Sequence, residues 1–154
     1  MAEIIDVQAV HIKVFAVSLR KSRGVKKLQY LTASLEDYLE IIHILRQSMQ
    51  SVGVTDIAKA LGTSKPSVTR AIKSLKNNSL VIQEKYGKIV LTPEGDKIAE
   101  SVYSRHKVLR KFLTEVLEIS DGTAEIDACK IEHVISKETL EGIEKFLKNH
   151  GIEG

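Results

Sequence analysis

The sequence predicts a mainly α-helical protein that contains one β-hairpin, and three observations predict it. Long stretches carry apolar residues at helical spacing, and the 154 residues include only two prolines. Serine or threonine residues that can cap a helix stand before several of these stretches. Between Leu80 and Leu91 the apolar period changes to two, on either side of a turn at Tyr86-Gly87. We therefore predict three helices, a hairpin and then three more helices.

The first three predicted helices are bounded by capping residues and a glycine. Ser34 is the predicted N-cap of the first helix, because an acid follows it at the third position. A short second helix over residues 56–61 ends at Gly62. The third runs from Lys65 to about Asn77, since the preceding Thr63-Ser64 pair offers two good caps.

The second half of the chain is predicted to contain the other three helices. Thr92-Pro93-Glu94 begins a long helix with an apolar stripe, and Asp121-Gly122 is expected to break it. Two further helices follow over about residues 124–135 and 137–149, divided at Ser136 by another cap.

Composition limits the class of protein. The chain is 43% hydrophobic and 28% charged, which is ordinary for a soluble globular protein. The single cysteine, Cys129, excludes an internal disulfide framework and fits a reducing compartment. No apolar run is long enough to cross a bilayer, and Glu3 and Asp6 give the N-terminus the wrong polarity for a secretory signal. We predict a cytoplasmic protein with no membrane partner.

Charge is distributed unevenly along the chain. Residues 1–91 carry 14 Lys and Arg against 7 Asp and Glu, whereas residues 92–154 carry 9 against 13. A basic first half followed by an acidic second half is compatible with a nucleic-acid-binding part joined to a part with another task. Solvated charged faces are the simpler explanation of such counts, so charge adds little by itself.

The predicted order of elements is typical of a winged helix-turn-helix: a helix, a tight turn, a second helix and a hairpin. The third helix begins with short polar and basic side chains that suit phosphates and base edges, and lysines flank the hairpin tip. The candidate DNA-binding residues are Ser64, Lys65, Pro66, Ser67, Thr69, Arg70, Lys73, Lys85 and Lys88. The alternative is a protein–protein module of the same fold, against which the basic start of the third helix argues.

A second set of residues places carboxylates, imidazoles and a thiol where the apolar pattern predicts burial. Two acids lie one turn apart in the first predicted helix, and a histidine lies in the apolar stripe of the long helix. In the next helix, four such residues at positions i, i+4, i+7 and i+8 are predicted to share one face. Burying such groups is costly unless a cation compensates them, and these donors suit Mn, Fe, Co or Zn. The candidate metal ligands are Asp37, Glu40, His106, Glu125, Cys129, Glu132 and His133. A core histidine, a small core cysteine and an exposed Glu-His pair are the simpler alternatives.

Several short motifs occur together in a specific order and spacing. They are SLEDYLE at 34–40, VTDIAKAL at 54–61, PSVT at 66–69, EKY at 84–86, LTPEG at 91–95, Arg105-His106, and CKIEHVIS at 129–136. In this arrangement the chain resembles the metal-dependent repressors of the diphtheria-toxin-repressor family, most closely the two-domain manganese-responsive branch. The resemblance covers about Leu31 to Gly151 and leaves residues 1–30 outside it.

The resemblance implies specific roles for the candidate ligands. Asp37 and Glu40 match ligands of the manganese branch, and His106, Glu132 and His133 match positions common to the manganese and iron branches. Cys129 departs from the manganese pattern, which has Glu there, and matches the iron pattern. Glu125 falls where the iron branch has an ancillary His ligand. Arg110 stands at a position that is acidic in both branches, so a complete second metal site is not implied.

The resulting expectation is a mainly α protein with a winged helix-turn-helix DNA-binding domain at 31–92, a helical metal-binding and dimerisation domain at 93–154, and an extension of unknown role at 1–30. It would be a homodimeric repressor of metal-uptake genes rather than an enzyme, and would bind a palindromic double-stranded operator. Mn(II) is the preferred corepressor, Fe(II) the next, and Co(II) or Zn(II) further options, with no small organic ligand. The alternatives are a winged-helix regulator that does not respond to metal, and a small metallohydrolase.

Overall fold

The computed structural model describes residues 31–84 and 87–152. In chain order the described elements are α1 Ala33–Ser48, α2 Val54–Ala60, α3 Lys65–Asn77, β1 Val81–Gln83, β2 Ile89–Leu91, α4 Pro93–Glu115, α5 Asp121–Ile131 and α6 Lys137–Asn149. They fall into two compact units, the first ending at Glu100 and the second beginning at Ser101. The predicted helix-rich class is confirmed, and the predictions for residues 1–30 lie outside the described part of the chain.

In the first unit, α1, α2 and α3 surround an apolar core and the hairpin packs beside them. Apolar side chains from all three helices are 0% exposed, among them Leu39, Ile57 and Leu75. β1 and β2 pair antiparallel with Val81 opposite Leu91. Since the hairpin follows α3 directly, the element order is that of the predicted winged helix-turn-helix.

The helix starts in the first unit differ slightly from the sequence predictions. Thr32 rather than Ser34 caps α1, because the Thr32 hydroxyl accepts a backbone N–H of the first turn at 3.3 Å. α2 begins two residues early, because the Asp56 carboxylate accepts the N–H of Gly53 at 2.9 Å and closes the first turn from inside the helix. α3 has the predicted bounds, with Ser64 as its cap.

The start of α4 approaches the chain at the end of α3 so closely that residue 95 must be glycine. A Cβ atom at Gly95 would lie 1.9 Å from the backbone oxygen of Leu80. Thr92 holds this contact in place, since its N–H donates to Leu80 O at 3.0 Å and its hydroxyl donates to Ser79 O at 2.8 Å. The spacing between the end of α3 and the first turn of α4 is therefore fixed.

A charged cluster joins α1 to the first turn of α4. Asp96 Oδ1 lies 3.0 Å from His43 Nδ1 and also pairs with the Arg46 guanidinium. Burial acts to raise the pKa of Asp96, but the hydrogen bonds and charges of Arg46 and His43 outweigh it and hold that pKa below its usual value. The ionised carboxylate therefore stabilises the first unit.

Replacing Asp96 with asparagine is expected to lower the free energy of unfolding by about 1 kcal/mol at pH 7, a small value because the side chain is partly exposed. A depressed carboxyl pKa contributes stability that is present above about pH 4 and is lost as the pH falls through the folded value. The difference between the two proteins should therefore shrink in acid. Urea unfolding at pH 7 and pH 3.5 measures it, with exposed Glu94→Gln from the same turn as the control. A difference that grew in acid would contradict this account.

The second unit is formed by the remainder of α4 with α5 and α6. Its interior contains small and branched apolar side chains, including Val102, Ala124 and Ala128, which are 0% exposed. The rings of Phe112 and Phe146 meet edge to face at 6.1 Å and join α4 to α6. Among the described helices, none combines the length and the apolar character needed to span a membrane.

Two helix boundaries in the second unit correct the sequence predictions. Asp121-Gly122 does not break a helix but begins α5, where the acid suits the positive N-terminal end of the helix dipole. α5 ends at Ile131, so Glu132 is its C-cap and His133 lies in the following turn. The spacing had predicted that Glu125, Cys129, Glu132 and His133 share one helical face, whereas His133 lies beyond the end of α5 and its cap.

Candidate functional site

The second unit buries a cluster of ionisable side chains from α4, α5 and the turn after α5. His106 is 1% exposed, with its Nε2 atom 3.3 Å from Glu125 Oε1 and its Nδ1 atom 2.7 Å from Glu132 Oε2. Cys129 Sγ lies 3.7 Å from the same Nδ1 atom. His133 Nε2 lies 3.3 Å from the other carboxylate oxygen of Glu132. These predicted ligands of the second unit thus meet in one cluster, despite the correction to the end of α5.

The cluster has the donor chemistry of a transition-metal site. One ligand atom each from His106, Glu125 and Cys129 lie within 4.8 Å of one another, and all three residues are buried. Imidazole, carboxylate and thiolate donors suit divalent Mn, Fe, Co or Zn. Closely spaced carboxylates away from water also repel each other, which a bound cation relieves. The residues present therefore fit the predicted metal.

His106 is held as a cation when no metal neutralises the cluster. Burial alone would lower its pKa, but polar contacts with Cys129, Glu125 and Glu132, which favour the protonated ring, outweigh burial and raise the pKa of His106 to about 12. The imidazolium thus offsets part of the negative charge of the two carboxylates. Because an imidazole nitrogen binds metal only after losing its proton, metal binding at His106 is coupled to proton release.

The two remaining candidate ligands, Asp37 and Glu40, belong to α1 of the first unit. Their side chains are buried, with 6% of Asp37 and 0% of Glu40 exposed. Three residues apart, they lie on one side of the helix, as the sequence predicts. Carboxylates are seldom buried to this extent unless they are paired with another group.

Two arginines of α4 contact the cluster, and neither was a predicted site residue. Arg105 Nε donates to the backbone oxygen of Glu132 at 2.8 Å, which occupies an acceptor at the end of α5. Arg110 Nε lies 3.1 Å from Glu125 Oε2, and Arg110 Nη2 donates to Asp121 at 2.8 Å. Helical periodicity could not find these contacts because each joins two different helices. Adjacency to His106 was the available signal for Arg105.

The N-terminal half of α3 presents the predicted polar and basic surface in the first unit. Ser64 caps the helix by accepting the Ser67 N–H at 3.3 Å, and the two hydroxyls lie 2.9 Å apart. Arg70 Nη2 donates to the Ser67 hydroxyl at 3.3 Å, and the Thr69 hydroxyl donates to the backbone oxygen of Lys65. The predicted DNA-binding residues of α3 that are exposed are Ser64, Lys65, Pro66, Thr69, Arg70 and Lys73. Val68, by contrast, points into the core at 0% exposure.

The hairpin supplies the second part of the candidate interface. Lys88 Nζ lies 3.8 Å from the Glu84 carboxylate, and the Glu84 N–H donates to Lys88 O at 2.8 Å. Gly87 adopts φ of 79°, a left-handed conformation that glycine tolerates. The prediction for Lys85 lies outside the described residues. Lys88 is therefore the predicted wing residue that the structure places, beside the tip.

Two family models together match nearly all of the described part of this chain. The iron dependent repressor N-terminal DNA binding domain matches residues 30–89, and the iron dependent repressor metal binding and dimerisation domain matches residues 92–151. The HTH-type transcriptional regulator MntR of Geobacillus kaustophilus is 37% identical over 112 residues, which are 73% of this chain and 79% of that protein. The chain belongs to the iron-dependent repressor family.

Two further similarities are to a transcriptional regulator and to a manganese regulator of known structure. An HTH-type transcriptional regulator of Methanocaldococcus jannaschii is 34% identical over 119 residues, 77% of this chain and 95% of that protein. The solved structure of the manganese regulator SloR has a TM-score of 0.69 and 30% identity, covering 77% of this chain and 55% of that one. The chain thus spans about half the length of that solved protein.

Membership confirms the predicted family, fold class and kind of function. The repressor carries a winged helix-turn-helix DNA-binding domain followed by a helical domain for metal binding and dimerisation. Its relatives are transcriptional regulators and not enzymes, so the metallohydrolase alternative is excluded. The family is metal-dependent, which also removes support from a metal-independent regulator.

Proposed function

We propose that this repressor controls metal-uptake genes with Mn(II) as its preferred corepressor and Fe(II) as the next. The observation that carries the proposal is the buried cluster of His106, Glu125 and Cys129, whose ligand atoms lie within 4.8 Å of one another. Carboxylate oxygens favour Mn(II), whereas the thiolate of Cys129 shifts the preference toward Fe(II), Co(II) or Zn(II). Co(II) and Zn(II) are therefore further options, and no small organic ligand is proposed.

We propose that the full ligand set also includes Asp37, Glu40, Glu132 and His133. Glu132 contacts both His106 and His133 within the second unit, which supports a shared role for the three. Asp37 and Glu40 are assigned by the sequence pattern and supported by their burial on α1. A bound ion supplies the positive charge that these carboxylates require when they are removed from water.

Within the first unit, the proposed ligand Asp37 lies close in sequence to a residue that neighbours the proposed DNA-reading helix. Tyr38 follows Asp37 on α1 and lines the same surface pocket as Thr63. Thr63 directly precedes Ser64, the cap of α3. A change in the position of α1 would thus reach the start of α3 through these neighbouring side chains as well as through the apolar core.

The proposed mechanism is a shift in population toward the conformation that binds DNA. In a homodimer the two copies of α3 must match half-sites about one helical turn apart, so the operator is proposed to be palindromic. We propose a DNA-binding domain at 31–92, which contains α1, and a second domain at 93–154. Ligands from both domains would couple metal binding to that spacing. We propose that the dimer acts in the cytoplasm, where its operator is found.

Mn(II) is expected to raise the affinity for a duplex selected from random sequence by about tenfold or more at fixed salt. The measurement is fluorescence anisotropy with Mn(II), Fe(II), Co(II) or Zn(II) at matched free concentration, against a chelator. Mg(II), which prefers oxygen ligands alone, serves as the control and should have little effect. Equal affinity for the duplex in Mn(II) and in chelator would contradict the proposal.

A further inference from the structure

Arg110 places a permanent positive charge beside the metal cluster of the second unit. Its Nε atom is buried and lies 3.1 Å from Glu125 Oε2, while Nη2 donates to Asp121 Oδ1 at 2.8 Å. Asp121 lies in the first turn of α5, one turn before Glu125. The guanidinium of Arg110, a residue of α4, therefore contacts two acids of α5. Arginine does not lose its proton in proteins, so this charge is constant.

The two oxygens of the Glu125 carboxylate have different neighbours. Oε1 lies 3.3 Å from His106 Nε2, on the side of the donor cluster, and Oε2 lies beside Arg110. In a two-metal site a bridging carboxylate gives one oxygen to each ion, and the ions stand about 3.5–4 Å apart. In this chain the guanidinium occupies the side of Glu125 that a second ion would need. A second divalent ion there would also meet the repulsion of a fixed positive charge in a buried environment.

We propose that Arg110 takes the place of a second cation beside Glu125, so that the His106, Glu125 and Cys129 cluster binds one metal ion and not two. Arg110 is then a positioning residue: it holds Glu125 with one oxygen toward His106 and determines the number of ions at this cluster. This inference rests on the proposed function only in requiring that the cluster bind a metal ion. The inference concerns how many ions bind, and knowing which metal binds would not answer that question.

The test is the Mn(II) stoichiometry of the full-length chain, measured by calorimetry and by electron paramagnetic resonance. The unaltered chain should bind one Mn(II) per chain at the cluster and show the spectrum of an isolated ion. Arg110→Glu should bind two, with a spectrum broadened by coupling between neighbouring ions. Lys107→Glu is the matched control, since it makes the same charge change on an exposed residue of α4 whose ammonium lies over the Tyr103 ring. It should keep one ion.

Arg110→Gln is a second test variant in case the Arg110→Glu protein misfolds, which circular dichroism would reveal. It removes the charge without adding a carboxylate, so a second Mn(II) should become measurable and bind at least tenfold more weakly than the first. Two coupled ions in the unaltered chain would overturn the inference, as would one ion in every folded Arg110 variant. No Mn(II) bound to the unaltered chain would instead overturn the proposed function, so the two failures are distinct.

Discussion

Replacing His106 with glutamine is expected to abolish the effect of Mn(II) on DNA binding. His106 supplies the nitrogen donor of the buried cluster and contacts both Glu125 and Glu132. The amide is a poor replacement for imidazole, so we expect Mn(II) affinity to fall by a factor of about 100. Operator affinity should then be the same in Mn(II) and in chelator. Calorimetry and anisotropy on one preparation measure the two effects.

The same variant is expected to be less stable than the unaltered chain in the absence of metal. Loss of the imidazolium leaves two carboxylates buried with less compensating charge, at a cost of about 3 kcal/mol. Because the folded pKa of His106 is raised to about 12, its contribution is complete below the unfolded value of about 6.5 and declines as the pH rises toward the folded one. Urea unfolding in chelator should therefore show a larger difference at pH 6 than at pH 9.

His150→Gln provides the control for both measurements. This histidine belongs to the same unit but is exposed, and its ring stacks on Phe146 at 4.1 Å rather than joining the cluster. It should retain both the metal response and most of the stability. A His106→Gln protein that still bound DNA more tightly in Mn(II) would show that His106 is not a ligand.

Replacing Arg70 with alanine is expected to weaken operator binding by about 10- to 100-fold without changing Mn(II) affinity. Arg70 is exposed in the N-terminal half of α3, where a long basic side chain can reach base edges in the major groove. Loss of a good base contact costs about 1–3 kcal/mol. Anisotropy in saturating Mn(II) measures the loss, and calorimetry checks the metal site.

Lys76→Ala is the matched control for Arg70, because Lys76 is a basic, exposed residue in the last turn of the same helix. Its loss should change affinity by a few-fold at most and without regard to the operator sequence. If Arg70→Ala bound the operator normally, the assignment of α3 as the reading helix would be wrong at this position.

The first unit was largely predictable from sequence because its signals are local. The Ser64 cap, the proline in the first turn and the apolar spacing of α3 together define that helix within its own residues. The second unit was less predictable from sequence. Asp121-Gly122 has the composition of a turn, yet with Ser120 before it the acid begins a helix. At the early end of α5 the backbone oxygen of Glu132 accepts a hydrogen bond from Arg105, a residue of another helix.

The candidate site was predictable in its members and not in its arrangement. Polar donor types at positions where the apolar pattern predicts burial are enough to indicate His106, Glu125 and Cys129. The contacts of Arg110 with Glu125 and of His43 with Asp96 join residues far apart in sequence, so no periodicity or cap reports them. Long-range pairing of charges is a property of the packed helices and emerges only with the fold.

The close approach of Gly95 to Leu80 has a consequence for the thermodynamics of DNA binding. The contact fixes the residue that lies between the end of α3 and the start of β1, so the reading helix and the wing leave a common anchored point. Their mutual orientation is therefore determined when the first unit folds. The conformational entropy of arranging two DNA-contacting elements is lost at that stage and not during association. Helix and wing reach the double helix as a preorganised pair.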